Sequence, residues 1–416
     1  MRSELNDFSL ELYGIVITAY RLAGDFKNGY KFIEEFKFTN INSKFQIEQQ
    51  YQKARILSDM GNSNDAIRIV EEILEFIKKQ KKLDFMTQNK VNNLLGVIYS
   101  DIADYLNAIQ VYQDTFYQSK AENYIVGQVI SLNNIGDIIE KIGKRNEART
   151  YYKDALALVP SDYLYLKGAV TSGLALIDFH EGNYQEAIEN LNKVKEFNNV
   201  ENMLDCFRLY LTSLVYLEQN DTQNLCKTIE ELEKYLKDNS EKTDIWVLQA
   251  KGKYNLYKGN LSVAKKYLKK ALEIAKKNQD TYNSVLIKLD ILETHRMSYC
   301  LNFEKNIKKK AIKTLDEITE ICKKKKYYSL MAEIYIRASY LYITFYELGE
   351  VTSYLEEAES VILSLNLKKE IKKVQAIREI KNRLELQLKP VKPIEIIENY
   401  ELIRYINQVQ ELIDKK

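Results

Sequence analysis

Apolar residues recur at helical spacing along most of the chain, and pairs of small residues stand twelve positions apart within this pattern. In one such unit Gly136 pairs with Ala148, Gly143 stands five residues before Ala148, and Tyr152 follows four residues after it. Two helices that cross closely need a small side chain from each, and the turn between them often needs a positive φ. The pattern therefore predicts antiparallel helix pairs. Further pairs are Ala54 with Ala66, Gly96 with Ala108, Ala175 with Ala187 and Gly252 with Ala264, with weaker copies at Ile17 with Gly29 and Ser213 with Leu225.

The same unit has a fixed turn position and a fixed large apolar position. Gly61, Gly182 and Gly259 occupy the turn position in other units, while Ala103 and Asn220 replace glycine there in two more. The large residue should fill the gap to the next helix pair. These residues are Val70, Tyr112, Tyr152, Leu191 and Leu268.

This spacing resembles the tetratricopeptide repeat, a helix-turn-helix unit of about 34 residues. The second-helix small residues stand at positions 66, 108, 148, 187 and 264, so each unit here is longer, at about forty residues. Forty-residue variants are similar to those of kinesin light chains, LGN-type adaptors and Gram-positive peptide-pheromone receptors. The resemblance covers roughly residues 5–280 and implies an all-α, right-handed superhelical solenoid of about eight to nine repeats with a C-terminal capping helix.

Three regions follow from this pattern. Residues 1–280 are predicted to form regular repeats, and residues 281–389 two divergent helix pairs, the last turning near Gly349, followed by a long helix from about Lys368 to Leu388. A final helix is expected in residues 390–416, after the prolines of the segment KPVKP. Terminal units of solenoids cap exposed apolar faces, so a cap is the first interpretation of this helix, and homodimerisation through the C-terminal region is the alternative.

Composition supports a helical chain and excludes some partners. Only 3 prolines and 14 glycines interrupt 416 residues, whereas a strand-rich protein needs many turns. A net charge of +2 gives no global attraction to nucleic acid or to an anionic membrane. We find no signal peptide or membrane span, and expect a cytoplasmic protein whose four cysteines are reduced.

In such a solenoid the first helix of each pair lines the concave surface. Its inward residues lie about one turn either side of the small crossing residue. We therefore predict that this surface binds a protein or peptide segment. The predicted contact residues are Tyr51, Arg55, Asn93, Val97, Asn133, Asp137, Ser172, Leu176, Phe179, Tyr210, Trp246, Gln249 and Lys253.

Asparagines recur just before the small residue in two units, in the sequences VNNLLG and SLNNIG. Asparagine forms helices poorly, so its presence at Asn93 and Asn133 needs a reason. A carboxamide both donates and accepts, and can hold a peptide backbone whatever its side chains. The resemblance to kinesin light chains and pheromone receptors implies this use. A hydrogen bond between helices, or plain solvation, is the alternative.

The chain is poor in groups that catalyse reactions. His180 and His295 are its only histidines, and no HExxH, CxxC, GxxxxGK[ST] or GxSxG sequence occurs. We therefore predict no enzyme activity, no catalytic residue, no metal site and no cofactor. Residues 304–326 carry nine lysines and four acids. A solvated helix face is the first interpretation of this segment, with binding to an acidic partner or to nucleic acid as the alternative.

Two functions remain open on the sequence. The first is a scaffold or adaptor that holds a partner in its groove. The second is a peptide-responsive regulator whose solenoid changes shape on binding. Many pheromone receptors carry a DNA-binding helix-turn-helix or a three-helix output bundle, but here the repeats begin almost at Met1, so we expect no such output domain in this chain.

Overall fold

The structure is a computed structural model that describes residues 2–22, 25–36, 43–79, 85–197, 203–236, 241–278 and 280–388. Across these residues the chain forms nineteen α-helices and no strand. Consecutive helices pack as pairs, α1 with α2 through α17 with α18, and α19 packs on the last pair. The helices are α1 (Arg2–Leu22), α2 (Phe26–Glu35), α3 (Ser43–Asp59), α4 (Ser63–Lys79), α5 (Phe85–Asp101), α6 (Tyr105–Ala121), α7 (Ile125–Ile142), α8 (Arg145–Leu158), α9 (Leu164–Glu181), α10 (Tyr184–Phe197), α11 (Met203–Glu218), α12 (Thr222–Glu233), α13 (Glu241–Tyr257), α14 (Leu261–Lys277), α15 (Thr281–Asn302), α16 (Lys305–Lys325), α17 (Tyr328–Thr344), α18 (Leu348–Leu365) and α19 (Lys368–Leu388).

The predicted turns are confirmed by their backbone conformation. Gly143 ends α7 with φ of +97°, and the glycines predicted for three other turns also adopt positive φ. Ala103 and Asn220 occupy the same position with φ of +61° and +56°. Because only glycine adopts this region freely, the alanine carries strain that the surrounding packing must offset.

The small residues lie at tight helix crossings, as predicted. A Cβ atom on Gly96 would lie 2.5 Å from the ring of Tyr112, and one on Gly252 would lie 2.5 Å from Leu268. Tyr152 is fully buried between two backbones, since a Cβ on Gly136 would lie 2.8 Å, and one on Gly173 2.5 Å, from its ring. The large apolar residues therefore join each pair to the next.

The C-terminal part of the described chain departs from the regular pattern. Helices α15 to α18 form two further pairs, and α19 follows as the predicted long helix. The turn of the last pair is at Tyr346, with φ of +62°, whereas Gly349 lies inside the first turn of α18. The predicted capping helix of residues 390–416 lies outside the described residues.

The solenoid also contacts itself across its superhelical turns. Ser329, at the start of α17, donates a hydrogen bond to the carbonyl oxygen of Lys141 at the end of α7 (2.9 Å). Leu365 packs against Gly143, and a single apolar core joins helices α6–α9 to α15–α19. The last helix pairs are thus held against the turns of the central repeats.

None of the described helices has both the length and the hydropathy that crossing a bilayer requires.

Candidate functional site

The first helices of the pairs carry the predicted contact residues, beginning with α3. Tyr51 is buried, and the ammonium group of Lys90 lies 4.3 Å from its ring centroid. The guanidinium of Arg55 lies 5.6 Å from the same ring. Among the described residues no carboxylate lies within ion-pairing distance of Arg55, and burial lowers the pKa of its guanidinium. Arg55 is thus a cation that lacks an anion.

The asparagines of α5 and α7 divide into two kinds. Asn134 donates a hydrogen bond from its carboxamide to the Oδ1 atom of Asn93 (2.9 Å), which joins two repeats. This is the bond between helices that the sequence left open as an alternative. Asn133 differs, because its Oδ1 atom is buried and accepts no hydrogen bond from any part of the chain that the structure describes. Val97, on α5, is exposed.

Asp137 lies on α7, one residue after the crossing at Gly136. Its carboxylate accepts a hydrogen bond from the hydroxyl of Tyr152 (2.6 Å), and the side chain reaches solvent. The surrounding protein nevertheless removes enough water to raise the pKa of Asp137, although the Tyr152 bond and Lys141 oppose this. No cation within the described ranges lies at ion-pairing distance from it.

The residues predicted on α9 differ in accessibility. Ser172 is buried and donates to the Gly168 carbonyl oxygen of its own helix (2.9 Å), so its hydroxyl is not available to a ligand. Leu176 and Phe179 are half-buried and pack on the core between α9 and α11. The Phe179 ring also meets the ammonium of Lys369, 5.1 Å from its centroid.

The residues predicted on α11 and α13 form one hydrogen-bonded network. The hydroxyl of Tyr210 donates to Gln249 (3.0 Å), and the Gln249 carboxamide donates to Asp290 (2.8 Å). Lys253 completes the network with an ion pair to Asp290 (2.5 Å). Trp246 is half-buried and stacks on Tyr210, with ring centroids 6.3 Å apart. Trp246 thus packs between α11 and α13.

Charged residues that sequence reasoning missed extend this network onto α15 and α17. Arg296 donates two hydrogen bonds to one oxygen of Glu293, at 3.1 and 2.6 Å. Arg337 donates to Glu333 (2.8 Å) and lies 3.6 Å from Glu293. Burial alone would raise the pKa of Glu293, but the two arginines hold it at about 2. The repeat spacing is lost after residue 280, but the spacing of Glu293 with Arg296 and Glu333 with Arg337 on one helix face could have indicated these pairs.

A second group of polar residues lies where the superhelical turns meet. Arg145 donates to both oxygens of Glu370, at 3.0 and 3.3 Å, and to the carbonyl oxygen of His180 (3.0 Å). Lys369, the residue before Glu370 on α19, pairs with Glu218 at the end of α11 (3.2 Å). Both ion pairs join residues more than 150 positions apart in the sequence. We call these two pairs the inter-turn contact.

A separate cavity of about 610 Å³ lies between α2, α3 and α4, lined by aromatic and aliphatic side chains such as Phe45, Ile73 and Phe76. It includes none of the predicted contact residues. The cavity therefore lies apart from the candidate site.

Comparisons with known proteins agree with this architecture. Residues 129–162 and 247–278 match the model of the tetratricopeptide repeat. No curated protein matches the sequence. The chain carries tetratricopeptide repeats and folds as a solenoid of the tetratricopeptide-repeat type, as predicted.

Two solved structures share this fold at low sequence identity. The Rap conjugation gene regulator of the plasmid pLS20, in complex with the Phr* peptide, is 16% identical with a TM-score of 0.53, and the match covers 70% of this chain and 81% of that one. A Rap protein complexed with competence and sporulation factor is 12% identical with a TM-score of 0.53, and the match covers 89% of this chain and 99% of that one.

Proposed function

We propose that this chain binds an extended peptide or protein segment along its concave surface, as a non-catalytic adaptor in the cytoplasm. The observation that carries the proposal is the solvent-reaching carboxylate of Asp137, which has no cation at ion-pairing distance among the described residues, one helical turn from Asn133, whose Oδ1 atom accepts no hydrogen bond from them. An acceptor left without a partner costs about 1–3 kcal/mol, which a ligand N–H group that draws the Asn133 carboxamide towards the surface would recover. The two Rap proteins that share the fold were solved with a peptide or a factor bound, and we extend that use of the fold to this chain.

The charges on this surface favour a ligand of defined polarity. Among the residues that the structure covers, no carboxylate lies at ion-pairing distance from Arg55 on α3, and no cation lies at that distance from Asp137 on α7. A ligand that places a carboxylate near Arg55 and an amine or guanidinium near Asp137 satisfies both. We infer that the ligand lies with its acidic end towards α3.

The test begins with a random peptide library selected on the purified chain, followed by affinity measurement for the selected peptides. Alanine at both Asn93 and Asn133 is expected to weaken binding at least about tenfold, because each lost hydrogen bond costs roughly 1–3 kcal/mol. Helicity measured by circular dichroism should not change. The matched control is alanine at Asn146 and Asn192, which are exposed on second helices. An affinity that is equal in both double variants would refute the assignment.

The inter-turn contact favours a second candidate, a regulator whose superhelix changes shape on binding. Phe179, a predicted contact residue, packs against Lys369, and Lys369 pairs with Glu218 across the turns. A ligand that displaces Phe179 would therefore disturb the contact. Small-angle scattering with and without a selected peptide distinguishes the candidates, because a regulator changes its radius of gyration on binding and a scaffold does not.

A further inference from the structure

Two neighbouring second helices, α14 and α16, carry most of their surface charge as lysine. The sequence indicated this for residues 304–326 alone, and the structure adds α14, whose lysines begin forty-odd positions earlier. Both are the second helices of their pairs and contain none of the predicted contact residues. We define the basic face as Lys265, Lys266, Lys269 and Lys270 of α14 with Lys309, Lys310 and Lys313 of α16.

Three of these lysines converge on one buried side chain. His295, on α15 between the two helices, is buried, and burial together with Lys265, Lys310 and Lys269 lowers its pKa to about 4. Burial, Lys269 and Lys310 also lower the pKa of Lys265 itself. The lysines of α14 and α16 are therefore close enough to repel one another.

This positive charge is not neutralised by ion pairs. Neighbouring lysines have partners, since Lys288 pairs with Glu317 (2.8 Å) and Lys308 with Glu347 (2.5 Å). Within the described chain no carboxylate lies at ion-pairing distance from Lys265, Lys269 or Lys310. Like charges held together without counter-charges destabilise the free protein, and an anionic partner removes that repulsion.

We propose that the basic face binds an acidic protein segment, rich in aspartate and glutamate, with the lysines around His295 at its centre. Helices α14 and α16 contain lysine and no arginine. Arginine supplies the planar bidentate contacts typical of base recognition, so these two helices lack the side chain that most often reads nucleic-acid sequence. Since the basic face contains none of the predicted contact residues, the chain can hold two partners at once and join them.

The first experiment measures binding of a fluorescent ten-residue glutamate peptide by anisotropy. The wild-type chain should bind it, and binding should weaken as salt is raised. Glutamine at Lys265, Lys269 and Lys310 should weaken binding at least about tenfold, because three desolvated charge contacts are lost. The matched control is glutamine at Lys153, Lys193 and Lys195, which are exposed on other second helices, and it should bind as wild type does.

Three results would overturn the proposal. They are no binding of the glutamate peptide by the wild type at low salt, an equal loss in the control variant, and tighter binding of a single-stranded oligonucleotide or of phosphatidylserine vesicles than of the peptide. Because the basic face contains none of the predicted concave residues, its failure would leave the proposed function standing.

The second experiment uses His295 as a reporter of the site. The chain has 2 histidines, so NMR titration of the two imidazoles, assigned with His180→Gln, follows each separately. An acidic segment over the lysines should raise the pKa of His295 by at least roughly half a unit, since it screens their repulsion. An unchanged His295 pKa with peptide bound would refute the location of the site.

Discussion

Gly96 lies where the ring of Tyr112 crosses α5, and it is a position where one methyl group should decide packing. Alanine normally stabilises a helix interior by up to about 1 kcal/mol relative to glycine. At Gly96 its Cβ would lie 2.5 Å from a buried ring that has no room to move, so Gly96→Ala should lower stability by about 1–3 kcal/mol. Urea denaturation measures the change.

The control for this prediction is Gly349→Ala. Gly349 is also helical, but no described atom lies within 4 Å of the position its Cβ would take. This variant should gain up to about 1 kcal/mol. A gain in both variants would contradict the tight crossing at Gly96.

The pKa of His295 predicts a loss of stability in mild acid. Above pH 6.5 the imidazole is neutral in both states, so it has no effect there. As the pH falls from 6.5 towards about 4, His295 takes up a proton in the unfolded chain but not in the folded chain. Burial disfavours the charged ring in the folded chain, and so do Lys265 and Lys269 on α14 and Lys310 on α16. Stability should fall by roughly 3 kcal/mol across this window.

Comparison with His295→Gln isolates this effect from the titration of carboxylates. The urea midpoint of the variant should fall less steeply between pH 6.5 and pH 4.5 than that of the wild type. Parallel profiles for the two proteins would mean that His295 takes up its proton as readily in the folded chain as in the unfolded one.

At the scale of the helix pair, the spacing of small residues was sufficient to predict most elements. Gly136 with Ala148 and the turn at Gly143 could be assigned because close crossings and positive φ demand particular residues. The sequence Asp-x-x-Asn is a further signal that could have predicted helix starts. Asp104 accepts hydrogen bonds from the backbone N–H and the carboxamide of Asn107, and the same sequence begins α2, α12 and α15. Tyr346 could not be predicted, since nothing in a tyrosine signals positive φ.

The turn at Ala103 provides a prediction at this scale. Its φ of +61° is unfavourable for alanine by about 1 kcal/mol, so Ala103→Gly should raise stability by roughly 0.5–1 kcal/mol. Ala157→Gly, at an exposed helical position on α8, should lower it by a similar amount. Thermal unfolding of both variants gives the two signs, and a loss at Ala103 would show that its methyl packing outweighs the strain.

The concave surface could be predicted only in part, for a physical reason. One helical turn from each small residue selected Tyr210, Gln249 and Lys253 as contact residues, and the structure joins these three in a network of their own. The same rule could not foresee that the Ser172 hydroxyl bonds its own helix, or that Arg337 extends the network. Which side chains bond one another across repeats depends on rotamers and superhelical pitch, and a periodic sequence encodes neither.

For the whole molecule, the contact between superhelical turns has no periodic signal at all. Arg145 and Glu370 are 225 positions apart, yet both side chains are about nine-tenths buried against each other. Breaking a buried pair leaves an unpaired buried charge, so Arg145→Ala should destabilise this contact by about 3–5 kcal/mol. Hydrogen exchange measured by mass spectrometry should become faster at the start of α19 and stay unchanged in α3 and α4.

The matched control is Arg378→Ala, which removes an exposed ion pair with Glu359 between α18 and α19. That pair does not join superhelical turns and should be worth less than about 1 kcal/mol. Unchanged exchange at α19 in the Arg145 variant would mean that the apolar core alone holds the turns together.

Tyr152 has a consequence for how the molecule could sense what it holds. Its ring sets the gap between α7 and α9, while its hydroxyl donates a hydrogen bond to the exposed Asp137. A ligand that pulled Asp137 away would leave the Tyr152 hydroxyl without a hydrogen bond between the two repeats. The free-energy cost of that loss is about 1–3 kcal/mol. Binding at Asp137 is in this way coupled to the superhelical pitch. A ligand that leaves the Tyr152 hydroxyl bonded to Asp137 would bind without changing that pitch.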